Sequence, residues 1–174
     1  MSRHSILQRL VRDRLLLELP SPFLGYETAR TMYVTPDIFR VVRKPFPTDP
    51  ELAERLYEFR QWLDGFTEGG HLTVAEDPDN KPPDAMMARV RPVKWEFFSI
   101  RVTAPETTPG IRSLGGFSEK DEFIALTWDL RENIDNFFDD EVAIVEAAWR
   151  GLFGSETPHK GDHLNEYLSN ADSV

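Results

Sequence analysis

Apolar residues recur along this chain at two spacings, and the spacings divide it into helices and strands. Residues 3–19 carry Ile6, Leu7, Leu10, Val11, Leu15 and Leu17 at helical intervals, with Arg3, Arg9, Arg12 and Arg14 elsewhere round the wheel. This predicts an amphipathic N-terminal helix within residues 1–22, ended by Pro20 and Pro22. So short a helix is marginal without packing, so docking on the chain's own sheet or on a second copy is expected. Between Tyr26 and Lys44, the runs Met32-Tyr33-Val34 and Ile38-Phe39-Arg40-Val41-Val42 are β-branched and aromatic, which predicts one or two strands.

A second helix is predicted over 50–66. Leu52, Leu56, Phe59, Leu63 and Phe66 form one apolar stripe, Thr48 and Glu51 have capping-box spacing, and Pro50 sits near the first turn. Gly65, Gly69 and Gly70 close it. Residues 76–84 are a polar, proline-rich loop. Three strands follow at 95–102, 111–117 and 123–128, joined by short connections that predict an antiparallel meander. Gly115 and Gly116, in the middle of the second, mark a bulge or a close backbone approach. Asp139 and Asp140 then cap a helix whose Val142, Val145, Trp149 and Leu152 face one way, with Gly154 as its stop. Residues 155–174 read as a polar, loosely held tail. The order predicts a single α+β domain over 1–174: one antiparallel sheet (strand, helix, three-strand meander) with helices packed on one side.

Composition supports a real core and removes several chemistries. The chain has 174 residues, 40% of them hydrophobic, with twelve Phe and four Trp. It has no cysteine, which excludes a disulfide scaffold, a thiolate zinc site and a thiol nucleophile. No apolar run approaches the ~18 residues of a membrane span, and Arg12, Asp13 and Arg14 interrupt any signal-peptide core. A cytoplasmic protein without membrane association is expected. No phosphate-cradling glycine loop, nucleophile elbow or dinucleotide fingerprint is present, so no cofactor is expected. His159 and His163 stand four apart beside Asp162 and Glu166, but Pro158 and Gly161 weaken a helix there and a third ligand is lacking. Asp135, Asp139, Asp140 and Glu141 lack the alternation and glycine of a calcium loop. No metal is expected.

Net charge is −10, which by itself opposes nucleic acid. Its distribution changes that reading. Residues 1–45 carry +4 and 81–112 carry +3, whereas 46–80 carry −7 and 113–174 carry −10. A basic surface on the strands can therefore coexist with acidic helix faces.

Residues 85–126 resemble the RelE-like toxins, including their HigB-type branch. Lys94-Trp95-Glu96-Phe97-Phe98-Ser99-Ile100-Arg101 looks like that family's W-E-x-R strand. Pro109-Gly110-Ile111-Arg112-Ser113-Leu114-Gly115-Gly116-Phe117 is similar to its next strand, and Asp121-Glu122-Phe123-Ile124-Ala125-Leu126 to its closing one. Strand 38–43 and helix 50–66 take the places of its first strand and helical hairpin, so the likeness spans about residues 38–126. The resemblance implies a metal-independent, ribosome-dependent RNA endonuclease with an antitoxin or other protein partner. By that likeness Arg112, Arg101 and Lys94 would be catalytic, and Arg89, Arg91 and Arg131 would bind RNA. Arginine suits the task, because its planar fork meets phosphate oxygens in pairs. The stretch Trp128-Asp129-Leu130-Arg131-Glu132-Asn133 departs from the family, placing acids where basic or hydroxyl-aromatic groups stand, which implies a degenerate or specialised nuclease. A rival reading is a non-catalytic module whose acidic face, 113–146, engages a basic protein. A homodimer through the N-terminal helix belongs with either.

Overall fold

A computed structural model describes residues 1–22, 29–136 and 138–174. Helix α1 spans Arg3–Arg12, with the Ser2 hydroxyl accepting from the Ser5 amide at 3.3 Å. It stops well short of Leu19. Arg14 adopts a left-handed φ of 59°, and the chain continues as strand β1, Leu17–Glu18. Leu16 and Leu17 pack into cores on opposite faces of the sheet, which a strand's alternation permits and a helix does not.

Strand β2 is Thr31–Val34, as expected, whereas residues 26–28 lie outside the described residues. The strand predicted over 38–43 is instead helix α2, Pro36–Val41. Here start signals outweigh β-branched composition: Thr35 caps the Ile38 amide at 3.4 Å, Pro36 opens the first turn, and Asp37 complements the dipole. Ile38 and Val42, four apart, both reach the core. Helix α3, Pro50–Thr67, buries the predicted stripe of Leu56, Phe59, Leu63 and Phe66, and its cap is Asp49 rather than Thr48.

Six further strands follow. These are β3 (Leu72–Ala75), β4 (Met87–Arg89), β5 (Phe97–Val102), β6 (Ile111–Glu119), β7 (Glu122–Leu130) and β8 (Ala171–Ser173). Helix α4, Asp139–Phe153, lies between β7 and β8, and its N-terminal cap position is Phe138. The eight strands form one sheet in the order β1-β2-β7-β6-β5-β4-β3-β8. Pairs β5/β6 and β6/β7 are antiparallel, but β2/β7, β3/β4 and β3/β8 are parallel. The sheet is therefore mixed rather than antiparallel.

Helices cover both faces, not one. Leu56, Phe59, Leu63 and Phe66 of α3 pack with Met32, Val74, Phe98, Phe117 and Phe123 on one side. Ile6, Leu7 and Leu10 of α1 pack with Val142, Val145, Trp149 and Phe153 of α4 over Phe97, Leu114 and Ile124 on the other. Ile6, Leu7 and Leu10, the centre of the apolar stripe of α1, are thus buried within its own chain. No described helix is long and apolar enough to cross a membrane.

The C-terminal segment is anchored, contrary to expectation. Tyr167 and Leu168 are buried, and β8 pairs with β3. Buried Arg30 donates to the carbonyls of Gly70 at 2.8 Å, Asn170 at 3.2 Å and Ser169.

Candidate anion-binding site

The antiparallel register of β5 and β6 sets Arg101 directly opposite Arg112. Side chains alternate across a strand, so these two share the sheet face of Phe97, Ser99 and Leu114. Trp149 of α4 covers Phe97, with ring centroids 6.0 Å apart. Past Ser99 a cavity of about 130 Å³ replaces this apolar core, lined by Lys81, Ala88, Ser99, Arg101, Arg112, Arg131, Asn136 and Phe138. The proline-rich loop contributes Lys81, and the segment between β7 and α4 contributes Arg131, Asn136 and Phe138.

That segment is held by a buried arginine of α3. Arg55, 2% exposed, donates to both carboxylate oxygens of Glu132 at 2.7 and 2.6 Å and to the carbonyls of Pro109 and Gly110 at 2.7 and 2.8 Å. The Gly110 carbonyl also accepts from the Arg131 amide at 2.9 Å. A two-pronged bond of this kind fixes orientation as well as distance.

Among the described residues, the hydrogen-bond and ring partners of the four cations in the cavity are neutral groups. Arg112, 8% exposed, donates to the carbonyls of Val102 at 3.3 Å and Ile111 at 3.0 Å. Arg101 donates to those of Pro82 at 2.7 Å and Ala85 at 3.0 Å. Arg131 donates to the carbonyl of Ile134 at 2.7 Å and to Asn136 Oδ1 at 3.0 Å. Lys81 Nζ and the Arg131 guanidinium lie 5.2 and 5.5 Å from the Phe138 ring centroid. Among the described residues, no carboxylate forms an ion pair with any of the four. Asp129 pairs with Arg112 across β6 and β7, but its Oδ1 accepts instead from the Leu130 amide and Asn133 Nδ2, both at 2.7 Å.

Burial and mutual repulsion both make Lys81, Arg101 and Arg112 easier to deprotonate. Burial, then Arg101 and Arg131, push Arg112 down to about 10. Burial followed by Arg101, Arg112 and Arg131 lowers Lys81. Arg101 is lowered by burial and Arg131, against a smaller opposing pull from Asp84. Desolvated cations without a counter-charge are costly, and a bound anion would remove that cost.

Of the six residues singled out from sequence, this cavity gathers Arg101, Arg112 and Arg131. Lys94 is exposed and lines a separate cavity of about 300 Å³ with Trp95, Phe97, Trp149 and Arg150. Arg89 takes a structural place, donating to Glu96 Oε2 and to the Tyr167 hydroxyl, each at 2.7 Å. Arg91 is exposed and paired with Asp79. Lys81 was missed, because a lone lysine among Asp, Asn and Pro reads as solvated loop. Asn136 and Phe138 carried no signal either.

Other candidates resolve into structure. His159 Nε2 lies 3.0 Å from the Glu166 carbonyl oxygen, and the Glu166 carboxylate accepts from the His163 amide at 2.9 Å. Among the described residues, no three His, Cys, Asp or Glu side chains converge on a metal-sized site. The acidic stretch 113–146 is partly spent inside the fold. Asp121 accepts from the Ser169 amide at 2.7 Å and pairs with Arg30, and Glu132 grips Arg55. No family model, curated protein or solved structure matches this chain.

Proposed function

We propose that the protein binds a small oxyanion, the phosphoryl group of a ligand, between Arg101, Arg112, Arg131 and Lys81. The observation that carries this reading is the convergence of four cations, none ion-paired to a described carboxylate, on one cavity of about 130 Å³. That volume is well below the ~300 Å³ at which drug-sized sites begin, which suits a single anionic group. Guanidinium forks match tetrahedral oxyanions, and the half-dry setting strengthens each charge-assisted bond.

A RelE-like ribonuclease would place its scissile phosphate on the same Arg101–Arg112 pair, and their convergence supports that second reading. Binding is favoured over cleavage because, among the described residues, the lining offers one amine, Lys81, and neither carboxylate nor imidazole, whereas cleavage needs both an acid and a base. Titration calorimetry and thermal unfolding with inorganic phosphate test the first reading. A ligand at about one hundred times its Kd adds roughly 2.7 kcal/mol of stability. Phosphate that neither releases heat nor raises the melting temperature would refute the reading. The ribonuclease reading predicts growth arrest on induction in a bacterium, relieved by Arg112→Ala. Unimpaired growth removes it.

A further inference from the structure

Lys81 differs in kind from the arginines beside it. A guanidinium keeps its proton throughout the physiological range, whereas an amine deprived of water and surrounded by cations holds its proton less tightly than a free lysine does. Lys81 is half-buried, and its Nζ lies 5.2 Å from the Phe138 ring centroid. Arg101 faces the same cavity from β5, Arg112 from β6, and Arg131 from the segment after β7. Asp84, on the loop of Lys81, acts on Arg101. Desolvation and neighbouring cations are the two influences that turn a lysine into a nucleophile toward carbonyl carbon, and both lower the pKa of Lys81.

Resting on the anion-binding reading, we propose that Lys81 is a nucleophilic amine and that the cavity takes a small carbonyl compound bearing an anionic group. The anionic group sits on the Arg101–Arg112 pair, and Nζ, once it has released its ammonium proton to solvent, donates its lone pair to the carbonyl carbon. A C–N bond forms as the carbonyl π bond opens, and the arginine N–H groups stabilise the developing oxyanion. Both amine hydrogens then leave with that oxygen as water, and an imine to Lys81 remains. Nothing is oxidised or reduced. Either a phosphorylated aldehyde or a 2-oxo acid meets this description.

The test incubates the full chain with glycolaldehyde phosphate, glyoxylate or uncharged glycolaldehyde, each with sodium cyanoborohydride at neutral pH. Adducts are located by peptide mass spectrometry. Lys44, Lys94, Lys120 and Lys160, all exposed, serve as internal standards. Lys81 should be modified several-fold faster than these by the two anionic carbonyls, with inorganic phosphate protecting it and uncharged glycolaldehyde showing a smaller preference that phosphate does not abolish. A faster reaction with glycolaldehyde phosphate assigns a phosphorylated aldehyde, and the reverse order assigns an oxo acid. Lys81→Arg should abolish the fast, phosphate-protected adduct and leave the rates at the four exposed lysines unchanged. Equal rates on all five lysines, in a chain that binds phosphate, would overturn the assignment of Lys81. A chain that binds no phosphate would overturn the reading of the cavity itself.

Discussion

Arg101 of β5 faces Arg112 of β6 across one cross-strand pair, and no described acid ion-pairs with either of them. Like charges directly opposite on one sheet face work against pairing. The arrangement therefore weakens the free protein, and removing one member should relieve it. Arg112→Met keeps the length of the stem while deleting the charge, and is expected to raise stability by about 1 kcal/mol. Urea denaturation measures this. The same variant should lose phosphate binding, and a variant both less stable and still binding would contradict the account.

Alkaline pH should stabilise the ligand-free protein through Lys81. Its folded-state pKa lies below the ordinary 10.5, so between those values the unfolded chain holds more protons and stability rises with pH. Tyr33 and Tyr167, both raised to about 12 by burial, oppose this only above pH 10. The comparison is therefore made below pH 10. Lys81→Met should show a flatter stability profile there, by thermal melts in buffers free of phosphate and sulfate. Parallel profiles would mean that Lys81 is not desolvated.

The Arg55–Glu132 bond predicts a different limb of the pH profile. Glu132 is held down to about 2, first by its hydrogen bond from Arg55, against an ordinary 4.5. Its contribution is complete above pH 4.5 and is lost as pH falls toward 2. Glu132→Gln should cost about 1–3 kcal/mol at neutral pH, with the deficit shrinking across that acid window. Because the bond also steadies the segment carrying Arg131, phosphate affinity should fall together with stability. A deficit independent of pH would place the effect elsewhere.

Tyr167→Phe isolates the anchoring of the C-terminal segment. The Tyr167 hydroxyl lies 2.6 Å from Glu96 Oε2, and it accepts from Arg89 Nη2 at 2.7 Å and the Gly161 amide at 2.8 Å. Its ring packs on Phe98 and Phe117 with centroids 5.3 and 5.5 Å away, and Phe retains those contacts. Loss of the hydroxyl alone should cost about 1–3 kcal/mol, because Glu96 stays buried with one partner fewer. An unchanged urea midpoint would show that the ring, not the network, holds the segment.

The sequence made the long elements legible and left the short ones hidden. Helix α3 and strands β5, β6 and β7 declare themselves by sustained period, and Gly115 by its place in a strand. A Cβ on Gly115 would overlap the Ile124 carbonyl, and the register shifts at Leu114/Gly115 as a bulge. Strands β3, β4 and β8 have three or four residues each, too few to show a period. Which face carries helices depends on long-range pairing: β2 lies parallel to β7, about ninety positions later in the chain. The site was half legible for the same reason. Arg101 and Arg112 are set together by a local hairpin register and Arg131 was named with them only by family resemblance, whereas Lys81 reaches them through a loop whose path no spacing encodes.

Both outer strands of the sheet are among its shortest. β1 has two residues and β8 three, whereas the nine-residue β6 and β7 lie inside. A strand needs a free row of amides and carbonyls to recruit another chain, and these margins offer little of one. An eight-stranded sheet rich in phenylalanine is thus shielded from stacking edge to edge into fibrils, and the protein should tolerate high concentration without aggregating through its β-structure.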